Sequence, residues 1–235
     1  MTTPIQIGLL VFPNMTQLDL TGPLQVFAAV PQFVPDPGAE IHLIWKDLTP
    51  VSTDAVMVIT PTVTFADCPQ LDVICIPGGY GTDALIEDQE VLDFVRRQAE
   101  GARYVTSVCT GALVLGAAGL LKGYRAATHW TAMDMLGAFG AIPTHERVVV
   151  DRNRVTGGGV TAGIDFALTL VGEMFDHPTA ESVQLRLEYD PHPPFNAGSP
   201  ATAPADVLAR YEELIAPNKV RRREAVARAA TNLAG

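Results

Sequence analysis

The sequence predicts an α/β domain with a mostly parallel sheet sandwiched by helices. Three observations predict it. Short apolar runs alternate with stretches of helical spacing, the pattern of repeated strand–helix units. The runs read as buried strands, as expected where helices cover both faces of a parallel sheet. Glycines or a cysteine follow directly after two of those strands, and in such sheets ligands bind beyond the carboxyl ends of the strands.

Each element follows from local pattern. Residues 5–12 (IQIGLLVF) form a buried strand closed by Pro13-Asn14, a turn signal. Residues 18–30 are spaced as a helix, with Gly22-Pro23 near its start. Residues 41–45 form a second strand and 56–59 a short extended piece. Residues 71–76 form a buried strand ending at Pro77-Gly78-Gly79-Tyr80-Gly81, and a helix is expected over 83–100. The strand 104–108 stops at Cys109, and a helix over 111–121 begins at once. A strand over 125–128 precedes His129. Residues 146–150 and 154–156 pair as a hairpin around Asp151-Arg152-Asn153. Gly157-Gly158-Gly159 leads into a helix over 161–175, followed by another over 179–189.

Prolines at 191, 193, 194, 200 and 204 exclude regular structure from 190–204. A helical tail over 205–234 carries Arg221-Arg222-Arg223, which reads as a solvated helix face. Residues 1–190 therefore read as one α/β domain, and 191–235 as a proline-rich segment and helical extension packed on it.

Bulk composition narrows the function classes. A net charge of −10 argues against general nucleic-acid binding, which needs a basic face. Cys68, Cys75 and Cys109 are an odd set without paired spacing, so neither a disulfide framework nor a zinc knuckle is expected. A reducing cytoplasm is the simplest setting. The first basic residue is Lys46, and no apolar run reaches membrane length, so neither a signal peptide nor a membrane span is expected.

Cys109 is the residue most expected to carry chemistry. Helix N-termini favour anions, so its thiol pKa is expected to fall. Ser107-x-Cys109-x-Gly111 echoes the Gly-x-Ser-x-Gly nucleophile elbow; the alternative is an inert packed thiol. Asp19 is either a helix-capping carboxylate or a buried acid facing the thiol, kept protonated by desolvation. Gly78 and Gly79, with the amides of Thr110 and Gly111, form either an oxyanion-type hole or a plain turn. His129 is a candidate general base or a structural histidine. No pair of histidines has metal-ligand spacing. The triple glycine lacks the Lys-Ser/Thr of a P-loop, so no nucleotide is expected. Cys68 and Cys75 read as packing residues.

Four motifs in this order, Leu18-Asp19-Leu20-Thr21-Gly22-Pro23, Ile76-Pro77-Gly78-Gly79, Val108-Cys109-Thr110-Gly111 and Ala127-Thr128-His129-Trp130, resemble the DJ-1/PfpI superfamily. The resemblance spans residues 5–189. It implies a flavodoxin-like, class-I glutamine amidotransferase-like fold. Within the superfamily, residues 41–46, 157–165 and 193–200 are most similar to the isonitrile hydratase branch. That branch implies hydration of an isonitrile to an N-substituted formamide, with water as second substrate. It also implies a homodimer, no metal and no organic cofactor, and Cys109 as nucleophile with Asp19 as its acid partner. Thr110 is implied to shape the site. Protease-like members carry a histidine where this chain has Thr110, which argues against peptide hydrolysis. The DJ-1 branch carries a glutamate where Asp19 stands. Rival readings are a DJ-1-like redox sensor and an AraC-type ligand-sensing regulator. The latter adds a helix-turn-helix module, whereas here fewer than fifty residues follow Tyr189.

Overall fold

The computed structural model describes residues 3–234. The first run is β1 (Ile5–Leu10), and Pro13-Asn14 turns the chain into α1 (Gln17–Phe27). β2 (Ala39–Trp45) follows, then a small hairpin of β3 (Val51–Ser52) and β4 (Val58–Ile59), and the short β5 (Val63–Thr64). β6 (Val73–Ile76) leads to α2 (Thr82–Leu85) and α3 (Gln89–Gly101). β7 (Tyr104–Val108), α4 (Gly111–Ala117) and β8 (Arg125–Ala126) come next. A 3-10 helix (Trp130–Phe139) and β9 (Ile142–Pro143) precede the hairpin of β10 (Val148–Asp151) and β11 (Arg154–Gly157). α5 (Ala162–Met174), α6 (His177–Arg186) and α7 (Ala205–Ala234) complete the order.

Seven strands make the main sheet, in the order β10-β11-β7-β6-β1-β2-β5. Every pairing is parallel except β10 with β11. The chain leaves β1 on one side for β2 and returns on the other side for β6 and then β7. The order therefore reverses at β1, and crevices open at such a switch point beyond the strands' carboxyl ends. The buried stretches of β1, β6, β7 and β11 form the middle of the core. On one face α1 packs against α5 at glycine: a Cβ on Gly22 would lie 3.3 Å from Ile164, and one on Gly163 would lie 3.2 Å from Pro23. Among the described residues no helix is long and apolar enough to cross a membrane.

Several expected boundaries move for local reasons. The helix expected over 83–100 is two helices, because Asp88 is an N-cap whose carboxylate accepts from the Val91 N–H at 3.3 Å. The helix after Cys109 ends at Ala117, and Gly119 follows at φ +79°. The helix expected from 179 starts at His177, since Asp176 caps it through the Thr179 N–H at 2.8 Å. Residues 125–128 give only two strand residues, paired with β9 outside the main sheet. The strand expected over 71–76 spans Val73–Ile76 and is buried along that length, and desolvation pushes the Cys75 thiol within it up to about 12. All three cysteines are free.

Gly111 is fixed by close approach. A Cβ there would meet the Ile76 carbonyl oxygen at 2.0 Å. Gly→Ala inside a helix normally stabilises. At this position Gly111→Ala is expected to destabilise by about 1–3 kcal/mol, because backbone must move. Urea unfolding of the two proteins checks the sign.

Candidate active site

Three loops meet at the switch point, following β1, β6 and β7. The first two are laced together: the Thr16 N–H donates to Gly78 O at 2.9 Å, and the Gly81 N–H to Asn14 O at 3.1 Å. Met15 and Gly79 form an isolated antiparallel bridge. Gly79 holds φ +127°, and a Cβ there would lie 2.5 Å from the Thr16 nitrogen.

Cys109 ends the third loop with φ +55°, the left-handed region that L side chains rarely occupy. Such strain is tolerated where surrounding bonds enforce it. Here its N–H donates to Gly158 O at 2.8 Å and Gly157 O at 3.1 Å, and its carbonyl accepts from the Thr128 hydroxyl at 2.7 Å. The triple glycine thus clamps the cysteine backbone, and a Cβ on Gly159 would contact the His129 ring at 3.3 Å. Cys109 is 5% exposed and opens on a cavity of about 230 Å³. Thr16, Gly79, Tyr80, Thr110, His129 and Val160 share that lining.

Asp19 stands in the first turn of α1 with no exposed surface. Its carboxyl does not cap the helix; Oδ2 accepts from the Gly78 N–H at 2.9 Å across the loops. Oδ1 is buried without a hydrogen-bond partner, an arrangement that disfavours a full negative charge. Burial pushes the carboxyl up to about 7, against the lowering effect of the Gly78 N–H and the neighbouring Cys109 thiol. Asp54, further along the cavity wall, adds to the rise.

The expectation of a lowered thiol pKa is corrected here. Burial first, and then the Asp19 carboxylate, push Cys109 well above its ordinary value. The Thr110 backbone amide and the Arg222 guanidinium act the other way. Desolvation exceeds what one helix N-terminus supplies. Removing both protons would set two negative charges near one another in a buried site, so near neutral pH at least one of the two groups stays protonated.

Nor do Gly78 and Gly79 turn free amides to the cavity. The Gly78 N–H is used by Asp19, and the Gly79 N–H donates to Thr110 Oγ1 at 2.9 Å. A Cβ on Gly78 would lie 2.5 Å from the Thr110 nitrogen and 2.9 Å from Asp19 Oδ2. The glycines bring Asp19, Thr110 and Cys109 together, and Gly111 packs on β6. Thr110 is 2% exposed, and its hydroxyl also meets Thr82 Oγ1 at 3.2 Å. His129 caps the 3-10 helix, with Nδ1 2.7 Å from Thr131 Oγ1. Burial, helped by Arg222, lowers its pKa to about 4, so the ring is neutral at pH 7.

Sequence reasoning missed the far wall. Tyr211, Ile215, Asn218, Lys219 and Arg222 of α7 line the cavity. The reading of Arg221 to Arg223 as solvated is wrong for Arg222. Its side chain is 11% exposed, forms an ion pair with Asp83, and donates from Nη2 to Gly79 O at 3.0 Å. The signal was present: Ile215, Arg222 and Ala229 are seven residues apart, on one helical stripe, and Ile215 and Ala229 are buried.

Comparison with known proteins agrees with this architecture. The DJ-1/PfpI family model matches residues 6–173. An isonitrile hydratase from Pseudomonas putida is 56% identical over 229 residues, covering 97% of this chain and 98% of that protein. The HTH-type transcriptional regulator GbdR of Pseudomonas aeruginosa is 32% identical over 72% of this chain and 46% of its own length. A THiJ/PfpI family protein from Pseudomonas syringae superposes with a TM-score of 0.91 at 49% identity, covering 96% of this chain and 91% of that one. Drosophila melanogaster DJ-1beta shares the fold, with a TM-score of 0.71 at 19% identity over 80% of this chain and 100% of that one. The family match over residues 6–173, together with a relative 56% identical along 97% of this chain, shows that this chain belongs to the DJ-1/PfpI family.

Proposed function

We propose that this protein is an isonitrile hydratase, converting R–N≡C and water to an N-substituted formamide, with Cys109 as nucleophile and Asp19 as proton carrier. The observation that carries the reading is the buried Cys109–Asp19 pair at the base of a small cavity. End-to-end similarity to the Pseudomonas putida isonitrile hydratase supports the substrate class.

The steps follow from the residues. Asp19, with a carboxyl near 7, takes the thiol proton as sulfur attacks the terminal isonitrile carbon, and returns that proton to the same carbon. The product is a thioimidate, R–N=CH–S–Cys109. Water then adds across the C=N bond: hydroxyl goes to carbon and a proton to nitrogen. Collapse of R–NH–CH(OH)–S–Cys109 releases R–NH–CHO and restores the thiol, with the hydroxyl proton returning through Asp19. Neutral His129 is the secondary candidate for activating the water. Thr110 holds the Gly79 amide and so keeps the site closed. The cavity wall from Met135, Val160 and Ile215 suits an apolar R group. The same proposal takes a cytoplasmic homodimer as the working form and invokes no metal or organic cofactor.

The direct test is incubation with a simple alkyl isonitrile. Formamide is expected in solution, with a transient mass adduct on Cys109. No formamide from the wild-type protein rejects the activity; formamide without involvement of Cys109 rejects the covalent route.

A further inference from the structure

Helix α7 lies outside residues 6–173, the span matched by the DJ-1/PfpI family, yet it walls the Cys109 cavity. Three arginines tie it to the body. Arg223–Asp134 and Arg228–Glu87 are largely exposed pairs, of the kind that adds little stability. Arg222 is different. Its side chain is nearly sealed, and its bonds run into the site. Nη2 donates to Gly79 O at 3.0 Å and reaches Thr82 Oγ1 at 3.4 Å. Thr82 donates to the same Gly79 oxygen at 2.7 Å, and the Gly79 N–H donates to Thr110 Oγ1. The next residue back, Gly78, donates to Asp19. A side chain from α7 therefore anchors Gly79, whose N–H holds the residue after the nucleophile and whose neighbour Gly78 holds the acid.

We propose that Arg222 is a positioning residue of the active site: it fixes the Gly79 carbonyl from α7 and sets a positive charge against the anion that forms at Cys109. This rests on reading Cys109 as the reacting thiol.

The surrounding charges favour that role. Asp19 on α1 is the acid that acts on Cys109, and Asp54 in the β3–β4 turn acts in turn on Asp19. Tyr80, Tyr211, His129 and Lys219 complete the titratable lining. His129 is neutral, and Lys219 stands at the outer wall, shared with the neighbouring groove. The Arg222 charge acts on both Cys109 and His129. Asp83, its ion-pair partner, attenuates that charge. In a partly desolvated site such a cation retains much of its effect.

The test is alkylation of Cys109 by iodoacetamide as a function of pH, with the adduct located by peptide mass so that Cys68 and Cys75 do not contribute. Arg222→Met is expected to move the midpoint upward and slow neutral-pH alkylation about tenfold, the equivalent of one pH unit. Arg222→Lys keeps the charge and should restore the wild-type midpoint. Asp83→Asn removes the attenuating carboxylate and should move the midpoint down. Superimposable profiles for wild type, Arg222→Met and Asp83→Asn overturn the proposal. Should circular dichroism show Arg222→Met unfolded, Asp83→Asn decides: an unmoved midpoint overturns the proposal. Alkylation reads the thiol without any isonitrile, so this result and the hydratase assay fail independently.

Discussion

Cys109→Ala is expected to reduce formamide release to the uncatalysed background, a loss of at least about a thousandfold. The size follows from the role. Without sulfur no covalent bond to the isonitrile carbon forms, and among the described residues no other thiol lines the cavity; His129 is held at Thr131 and the Thr110 hydroxyl is bonded to Gly79 and Thr82. The substitution should not unfold the protein. The backbone bonds from Cys109 to Gly157, Gly158 and Thr128 survive, and alanine at φ +55° keeps the same strain that cysteine already bears. Single-turnover kinetics on the variant, with its melting curve alongside, separates lost chemistry from lost fold. Wild-type turnover by Cys109→Ala would sink the mechanism.

Asp19→Asn is expected to lower turnover by on the order of a hundredfold to ten-thousandfold, the usual contribution of a positioned acid–base group. Asparagine preserves shape and can still accept from the Gly78 N–H, but it cannot carry a proton from sulfur to carbon. It should also remove from the pH–rate profile the ionisation near 7 assigned to the carboxyl. Stability should move in the opposite direction. The folded pKa of Asp19 lies above its unfolded value of 3.8, at about 7. The native state therefore binds more protons than the unfolded chain in that window, and stability falls as pH rises through it. The penalty is fully present above pH 7 and amounts to at most about 4 kcal/mol. Asp19→Asn escapes it and should melt several degrees higher than wild type at pH 8, while matching it more closely near pH 4. Differential scanning calorimetry at the two pH values checks this, and a variant equally or less stable at pH 8 contradicts the buried-charge account.

The strands were legible because a parallel sheet covered on both faces needs largely apolar or β-branched runs, and residues 5–12, 71–76 and 104–108 supply them. Short pieces were not. β5 has two residues and exists because it pairs with Ile44 and Trp45 of β2, a long-range bond with no local signature. The 3-10 helix from Trp130 to Phe139, held by local bonds and capped by His129, was not anticipated either. The candidate site residues were legible by type and position: a cysteine at a strand end, an acid in an apolar run, and glycines after a strand.

What local sequence determined by itself was the order of strands and helices and the identity of the side chains that reach the sheet's crevice. Both follow from periodicity and residue chemistry acting over a few neighbours. Only the tertiary structure decided the protonation of the site and its outer wall. Asp19 and Cys109 are both pushed upward because distant loops seal them from water. Arg222 becomes part of the site because α7 folds back onto Gly79 over a separation of more than a hundred residues. Desolvation and long-range packing depend on what surrounds a residue in space, which neighbours along the chain do not specify.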